Sequence, residues 1–360
     1  MKGRYWRWGL MFGLPVALLV LFRLVKHRAD WMNRWVFGVV APVERFLGRL
    51  WSCVSFSVAE VLVAVLLSAG LVLVLSGVVI LVRKRQLRPL LRRVAAVAMV
   101  CLWLLVGLDW MWNAVYYAED GFAKRANLTV QPYTVEELFA VTGVFLHRAS
   151  ALAARMPRDE QGRFAVSREE CIRRGVTAYE GIEDTYAFLE GEGVPVKPLL
   201  CSKLQSRLGF TGIYFPFTGE ANVNVDAPTC LLPATIAHEM AHQRMIAPEE
   251  EANFVGIAAC LTGEDEVFEY SGYLMGLIHL SNALYRVAPE AWAVLWAEGS
   301  AELQQDWREN NAYWAARQSS VEQAAEQVYD SYLKGNNQDL GVRSYGACVD
   351  LLVTWMRTAE

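Results

Sequence analysis

Two histidines four residues apart with a glutamate after the first, His238, Glu239 and His242, form an H-E-x-x-H element in this sequence. On a helix, residues four apart stand one above the other, so both imidazoles can aim at one point. That spacing supplies two thirds of a zinc site. Glu239 can reach a water at the metal without binding the metal, which is where a metallopeptidase keeps its general base. The neighbouring residues fit a helix. Pro233 can open it, Ile236, Ala237, Met240 and Ala241 give it an apolar body, and Pro248 ends the turn before a second helix.

A catalytic zinc takes three protein ligands and keeps a fourth position for water. A third His six residues after His242 would complete the set, but position 248 is Pro. The remaining candidates are Glu249, Glu250 and Glu251, at the start of the second helix. Acids in a first helical turn also complement the helix dipole without any metal. Periodicity leaves the choice open: Glu251 shares a face with Val255 and Ala258, Glu250 with Phe254 and Ile257, and both faces are apolar.

The elements that must position these residues fall into two unlike parts. The net charge of -4 divides into 15 Lys and Arg against 4 acids in residues 1–117, and 19 against 34 in residues 118–360. The first part reads as a basic, apolar membrane region and the second as one acidic domain. Three apolar segments, about 8–25, 61–82 and 94–117, are expected to cross a bilayer, a span needing ~20 residues. The first reads as an uncleaved signal anchor. Between the second and third lie Arg83, Lys84, Arg85, Arg88, Arg92 and Arg93 with no acid. That loop is expected on the cytoplasmic side, which leaves the acidic domain extracytoplasmic on a multi-pass cell-membrane protein. Trp31, Trp35, Phe46 and Trp51 suggest a helix lying in the interface, and Trp110, Trp112, Tyr116 and Tyr117 an aromatic belt at the outer end of the third span. Asp109 beside them reads as the interfacial end of that helix.

Within the acidic domain, Thr134 with Glu137 and Ser167 with Glu170 mark helix starts. Residues 209–225 read as a short strand or hairpin just before the metal helix. His147 and His279 read as ordinary helix residues. Five cysteines, Cys171, Cys201, Cys230, Cys260 and Cys348, fall in this domain without ligand spacing and allow at most two disulfides. The acidic balance argues against nucleic acid as a partner. The fold class is thus mainly α with a small β element.

The strings HEMAHQ and EEANF, with YFPFTGEANVN at 214–224 and SYGACVDLL at 344–352, resemble the domain-of-unknown-function 3810 family. The resemblance covers nearly the whole chain and implies a membrane-anchored zinc peptidase of the gluzincin kind. It implies Glu251 as the third ligand beside His238 and His242, and a strand bordering the cleft, with Tyr214, Asn222 and Asn224 as substrate contacts. Tyr345 and Arg343, within the SYG segment, are the candidates for stabilising the oxyanion, with Tyr273 in reserve. Two residues depart from the expected pattern: Met245 stands where a small residue is expected, and Val255 stands where an acid would follow Glu251. The expectation is therefore zinc-dependent hydrolysis of a peptide or protein substrate at the bilayer. The alternative is a non-enzymatic, zinc-stabilised binding or assembly protein. An intramembrane protease is disfavoured because Gln243, Arg244 and three acids flank the metal helix.

Overall fold

Long uncharged runs form long helices here because nothing in them breaks the backbone ladder or offers a polar face. The computed structural model describes residues 2–119, 121–191 and 193–358, apart from the side chains of residues 2–10 and of Tyr345. Helix α1 (Lys2–Val25) is followed by short helical pieces that lead into α2 (Ala41–Trp51). Next come α3 (Val58–Lys84) and α4 (Leu87–Gly107), packed on each other across a very short basic turn. Ser57 caps α3 by accepting a hydrogen bond from the Glu60 amide.

Two helical segments among the described residues, not three, are long and apolar enough to span a membrane: Val58–Lys84 and the continuous run Leu87–Tyr117. The described apolar part of α1, Met11–Val25, is shorter than a bilayer requires. The second segment also differs from the expected span at its far end. Past Gly107 it tightens into a π turn (Leu108–Trp112) and a 3₁₀ turn (Asn113–Tyr117) and enters the protein. Trp112, Tyr116 and Tyr117 are buried there, so they form core and not an aromatic belt. Asp109 is buried too and accepts a hydrogen bond from Asn113. Of the proposed interfacial aromatics, Trp31 and Phe46 are exposed, whereas Trp35 donates its indole N–H to the Trp110 carbonyl.

The rest is a mainly helical domain. Helix α5 (Val135–Ala153) begins with a complete capping box between Thr134 and Glu137, and Ser167 caps a short helix at Arg168–Arg174. A three-stranded sheet of β1 (Lys197–Pro198), β2 (Gly212–Phe215) and β3 (Glu220–Val223) has the order β1-β3-β2. Strands β2 and β3 are the expected hairpin, antiparallel with Gly212 opposite Val223. Strand β2 is left as an edge.

The core is built on α6 (Leu232–Gln243), α7 (Glu249–Thr262) and α8 (Glu266–Val287), with α5 along α8. Every residue of α6 from Leu232 to His242 is buried. Helices α6 and α7 cross closely at Gly256, where a Cβ would stand 2.8 Å from the His238 backbone nitrogen. Only glycine allows that approach. Helices α9 (Ser320–Gly335) and α10 (Cys348–Thr358) complete the domain. The seven cysteines are all free.

Candidate metal centre

The one-turn spacing of His238 and His242 places their rings 4.8 Å apart on the buried length of α6. Three residues past His242 the chain reverses, and Met245 takes a left-handed conformation (φ 61°) where a small residue would be less strained. The reversal folds the Ile246 carbonyl back onto the imidazole of His242, whose Nδ1 lies 2.7 Å from it. That contact fixes the ring with Nε2 facing the pocket.

The acid that the fold brings to the two histidines is Glu249 and not Glu251. Glu249 Oε2 lies 3.3 Å from His238 Nε2 and 3.8 Å from His242 Nε2. These three ligand atoms lie within 4.8 Å of one another, all on buried residues. Glu251 is turned away, its carboxylate accepting hydrogen bonds from the Phe122 and Ala123 amides at 2.8 and 3.1 Å. The physical reason is helical: two residues advance a side chain by about 200° around the axis, so an acid at 249 facing α6 puts one at 251 on the far side. Glu250 lies between them, half-buried, and burial pushes its pKa up to about 7.

Around Glu249 the polar groups are divided in a way that suits a cation. Its Oε1 accepts from the Tyr329 hydroxyl at 2.5 Å, while Oε2 is buried facing the two imidazoles. A carboxylate buried in this way needs positive charge close to it, which a protonated ring or a bound cation can supply. Burial alone would raise the pKa of Glu249, but the two imidazoles and Tyr329 hold it below the ordinary value. Burial pushes His242 down to about 4, so its ring is neutral and can act as a ligand. Burial works the same way on His238, but Glu249 outweighs it and lifts His238 above its usual value. Asn253, one turn along α7 from Glu249, hydrogen-bonds the His238 ring. The residues present therefore fit a divalent cation: two imidazole nitrogens and one carboxylate oxygen, with His242 oriented by the Ile246 carbonyl and Glu249 by Tyr329.

These side chains open onto a cavity of about 820 Å³. Glu239 reaches it beside β2, where a Cβ at Gly212 would stand 2.3 Å from the Glu239 carboxylate. Burial raises Glu239 to about 8, and its Oε2 has no hydrogen-bond partner. Tyr214 lines the cavity but donates its hydroxyl to Glu44. Asn222 and Asn224 do not line the cavity. Both are buried, Asn222 within β3 donating to the Ile213 and Glu220 carbonyls and Asn224 just past β3 donating to Ser206 and the Phe210 carbonyl. Arg343 is exposed and Tyr273 packs on Phe145, neither of them on the cavity wall. The Tyr345 side chain lies outside the described residues.

Other residues line the cavity without having been singled out by spacing. Trp112 meets His242 edge to face, with ring centroids 5.5 Å apart, and Tyr116, His279, Tyr329 and Tyr332 complete the wall. Burial and His238 push His279 down to about 4. For Glu249, a signal was present in the sequence. Glu249, Asn253 and Gly256 stand at i, i+4 and i+7, a polar and small stripe along one face of the helix.

Fold and site together define a mainly helical protein with a buried His–His–Glu group able to hold a metal ion. Its residues 36–353 match the family described as Protein of unknown function (DUF3810), and the chain belongs to that family. No curated protein and no solved structure matches it.

Proposed function

We propose that this protein is a membrane-anchored, zinc-dependent metallopeptidase that hydrolyses peptide bonds. The observation that carries the reading is the buried Oε2 atom of Glu249 facing both imidazoles, 3.3 Å from His238 Nε2 and 3.8 Å from His242 Nε2, with Glu239 beside it in one cavity. His238, His242 and Glu249 would hold a divalent cation, zinc by their mixed nitrogen and oxygen donors, which would supply Lewis acidity towards water and a carbonyl. Glu239 takes the proton of the attacking water and returns it to the departing amine. Gly212 keeps the space that this carboxylate occupies. The free edge of β2, from Gly212 to Phe215 along the cavity, pairs with the main chain of an extended substrate. His279, neutral at physiological pH, offers an N–H to the charge that develops on the carbonyl oxygen. The two apolar helices anchor the chain, and the basic turn between them sets the domain on the extracytoplasmic side.

Glu239→Gln tests the proposal. The variant is expected to bind one zinc per chain and to lose hydrolysis of a degenerate peptide library by ~10³-fold. Parent activity should disappear on chelation and return with zinc. Hydrolysis by the variant at the parent rate would overturn the mechanism.

A further inference from the structure

The cavity of the candidate metal centre lies at the point where both apolar helices meet the domain. The N-terminus of α3 is held by Glu220 of the hairpin, which accepts hydrogen bonds from the Val58 and Ala59 amides at 3.2 and 2.8 Å. The C-terminus of α4 touches the same hairpin, with Phe217 against Gly107. Burial changes abruptly along this second helix. Val100, Trp103, Leu104 and Leu105 are 38–51 % exposed, whereas Val106 is 6 % exposed and Trp112 is 8 %. Leu105 therefore marks the last exposed apolar turn, and Trp112, whose ring touches His242, follows seven residues later. At ~1.5 Å per residue that is a climb of about 10 Å.

A second feature lies against the same hairpin, where Gly48 of α2 approaches the Gly219 carbonyl. Helix α2 buries Glu44 and Gly48 against the domain and exposes Val43, Phe46 and Leu50, a stripe at i, i+3 and i+7. Trp31 and Phe56 add two more exposed aromatic rings beside it. No part of the described protein covers this stripe, and α3, which follows α2 in the chain, is exposed along most of its apolar length. A bilayer interface suits it: the surface is amphipathic and aromatic and flanks two spans. Part of the cavity wall is apolar, made by Leu108 just past α4 and by Phe215 and Phe217 of the hairpin.

We infer that the substrate is a polypeptide anchored in the bilayer, and that the bond cut lies in its juxtamembrane segment. The inference rests on the peptidase reading above. An extended chain advances ~3.3 Å per residue, so about three residues carry it from the membrane surface to the height of His242. Substrates held at that height meet β2 directly, while a soluble chain must come down to the apolar rim.

The test uses the full chain reconstituted in phosphatidylcholine and phosphatidylglycerol vesicles. The probe is a designed polypeptide, one apolar helix of ~20 residues followed by a degenerate cleavable tail. It is compared with the same tail free in solution, and with a probe in which a helical (EAAAK) spacer lifts the tail by about 45 Å, some 30 residues at ~1.5 Å each. The directly anchored tail is expected to be cut at least tenfold faster than the lifted one, with cuts clustered in its first residues beyond the helix. Equal rates for the direct and lifted probes, or cuts spread evenly along the tail, would overturn the inference, and the peptidase reading would stand. Cleavage of no probe by zinc-loaded protein would overturn both. Phe46→Asp combined with Leu50→Asp, outside the catalytic groups, should slow the anchored probe and leave hydrolysis of the free tail unchanged.

Discussion

Helices α3 and α7 are written in nearly the same apolar alphabet, Val, Leu, Ala, Ile and Gly, and they end in opposite surroundings. Only Ala59 and Gly77 of α3 are buried, while α7 is buried along most of its length. The difference is in what interrupts the apolar residues. Helix α3 runs 27 residues, charged only near its two ends, so its side chains suit lipid on all sides. Helix α7 runs 14 residues and carries Glu249, Asn253 and Gly256 on one face, which is the face that meets α6. Apolar composition thus sets a helix apart from water, whereas one stripe of polar and small residues decides whether protein covers it. Helix α2 stands between the two cases, with Glu44 buried against the domain and Phe46 bare.

Several substitutions would break or sharpen that contrast. The largest effect is expected at the stripe itself. Glu249→Ala should bring zinc content, measured by mass spectrometry of the metal, well below one per chain, whereas Glu251→Ala should keep the metal and lose only its two hydrogen bonds to Phe122 and Ala123. The reverse outcome would return the ligand to position 251 and remove the basis for the stripe. Next comes the joint between the two regions. Lys197 and Glu220 form a buried ion pair at 2.5 Å, and Lys197 also donates to the Trp51 carbonyl. Glu220→Ala strands that ammonium and frees the α3 amides, so it should destabilise the protein by ~3–5 kcal/mol in detergent unfolding.

Tyr329→Phe should act more gently, lowering metal affinity by ~10- to 100-fold while leaving the fold intact, because it removes only the group that orients Glu249. An unchanged affinity in competition with a chelator would mean that packing alone positions the carboxylate. The smallest effect concerns α2. Burial raises Glu44 to about 8, partly offset by the hydroxyl of Tyr214. The folded chain thus keeps a proton that the unfolded chain releases near 4.5, the ordinary value. Between those values the folded state binds more protons, so this group's contribution to stability falls as pH rises. Glu44→Gln should flatten the decline in melting temperature between about pH 5 and 8 relative to the parent. An identical slope would mean that Glu44 is not buried as a neutral acid.

Much of the metal helix was legible as text. The four-residue spacing of His238 and His242, Glu239 after the first of them, and the hairpin ahead of them are local patterns, and local patterns survive into the fold. The apolar lengths of α3 and α4 were equally plain. The acid that joins the two histidines was harder to read, because three successive acids present three directions and only the neighbour across the crossing selects one. Asn222 and Asn224 were equally hard to place, because spacing could not show that their amides turn inward to bond neighbouring backbone and Ser206. Trp112 could not be placed from sequence at all. An aromatic residue at the end of an apolar helix reads the same whether lipid headgroups or a histidine lie beyond it.

By itself, then, the sequence determined which residues could be ligands and how many lay on one helix, since a helix converts spacing into direction without outside help. Tertiary structure decided which acid faces them, because that depends on the angle at which α7 crosses α6, set by Gly256 against the His238 backbone. It also decided that the far end of an apolar helix becomes the wall of the metal cavity, a contact between residues 112 and 242 that only the closed fold brings together.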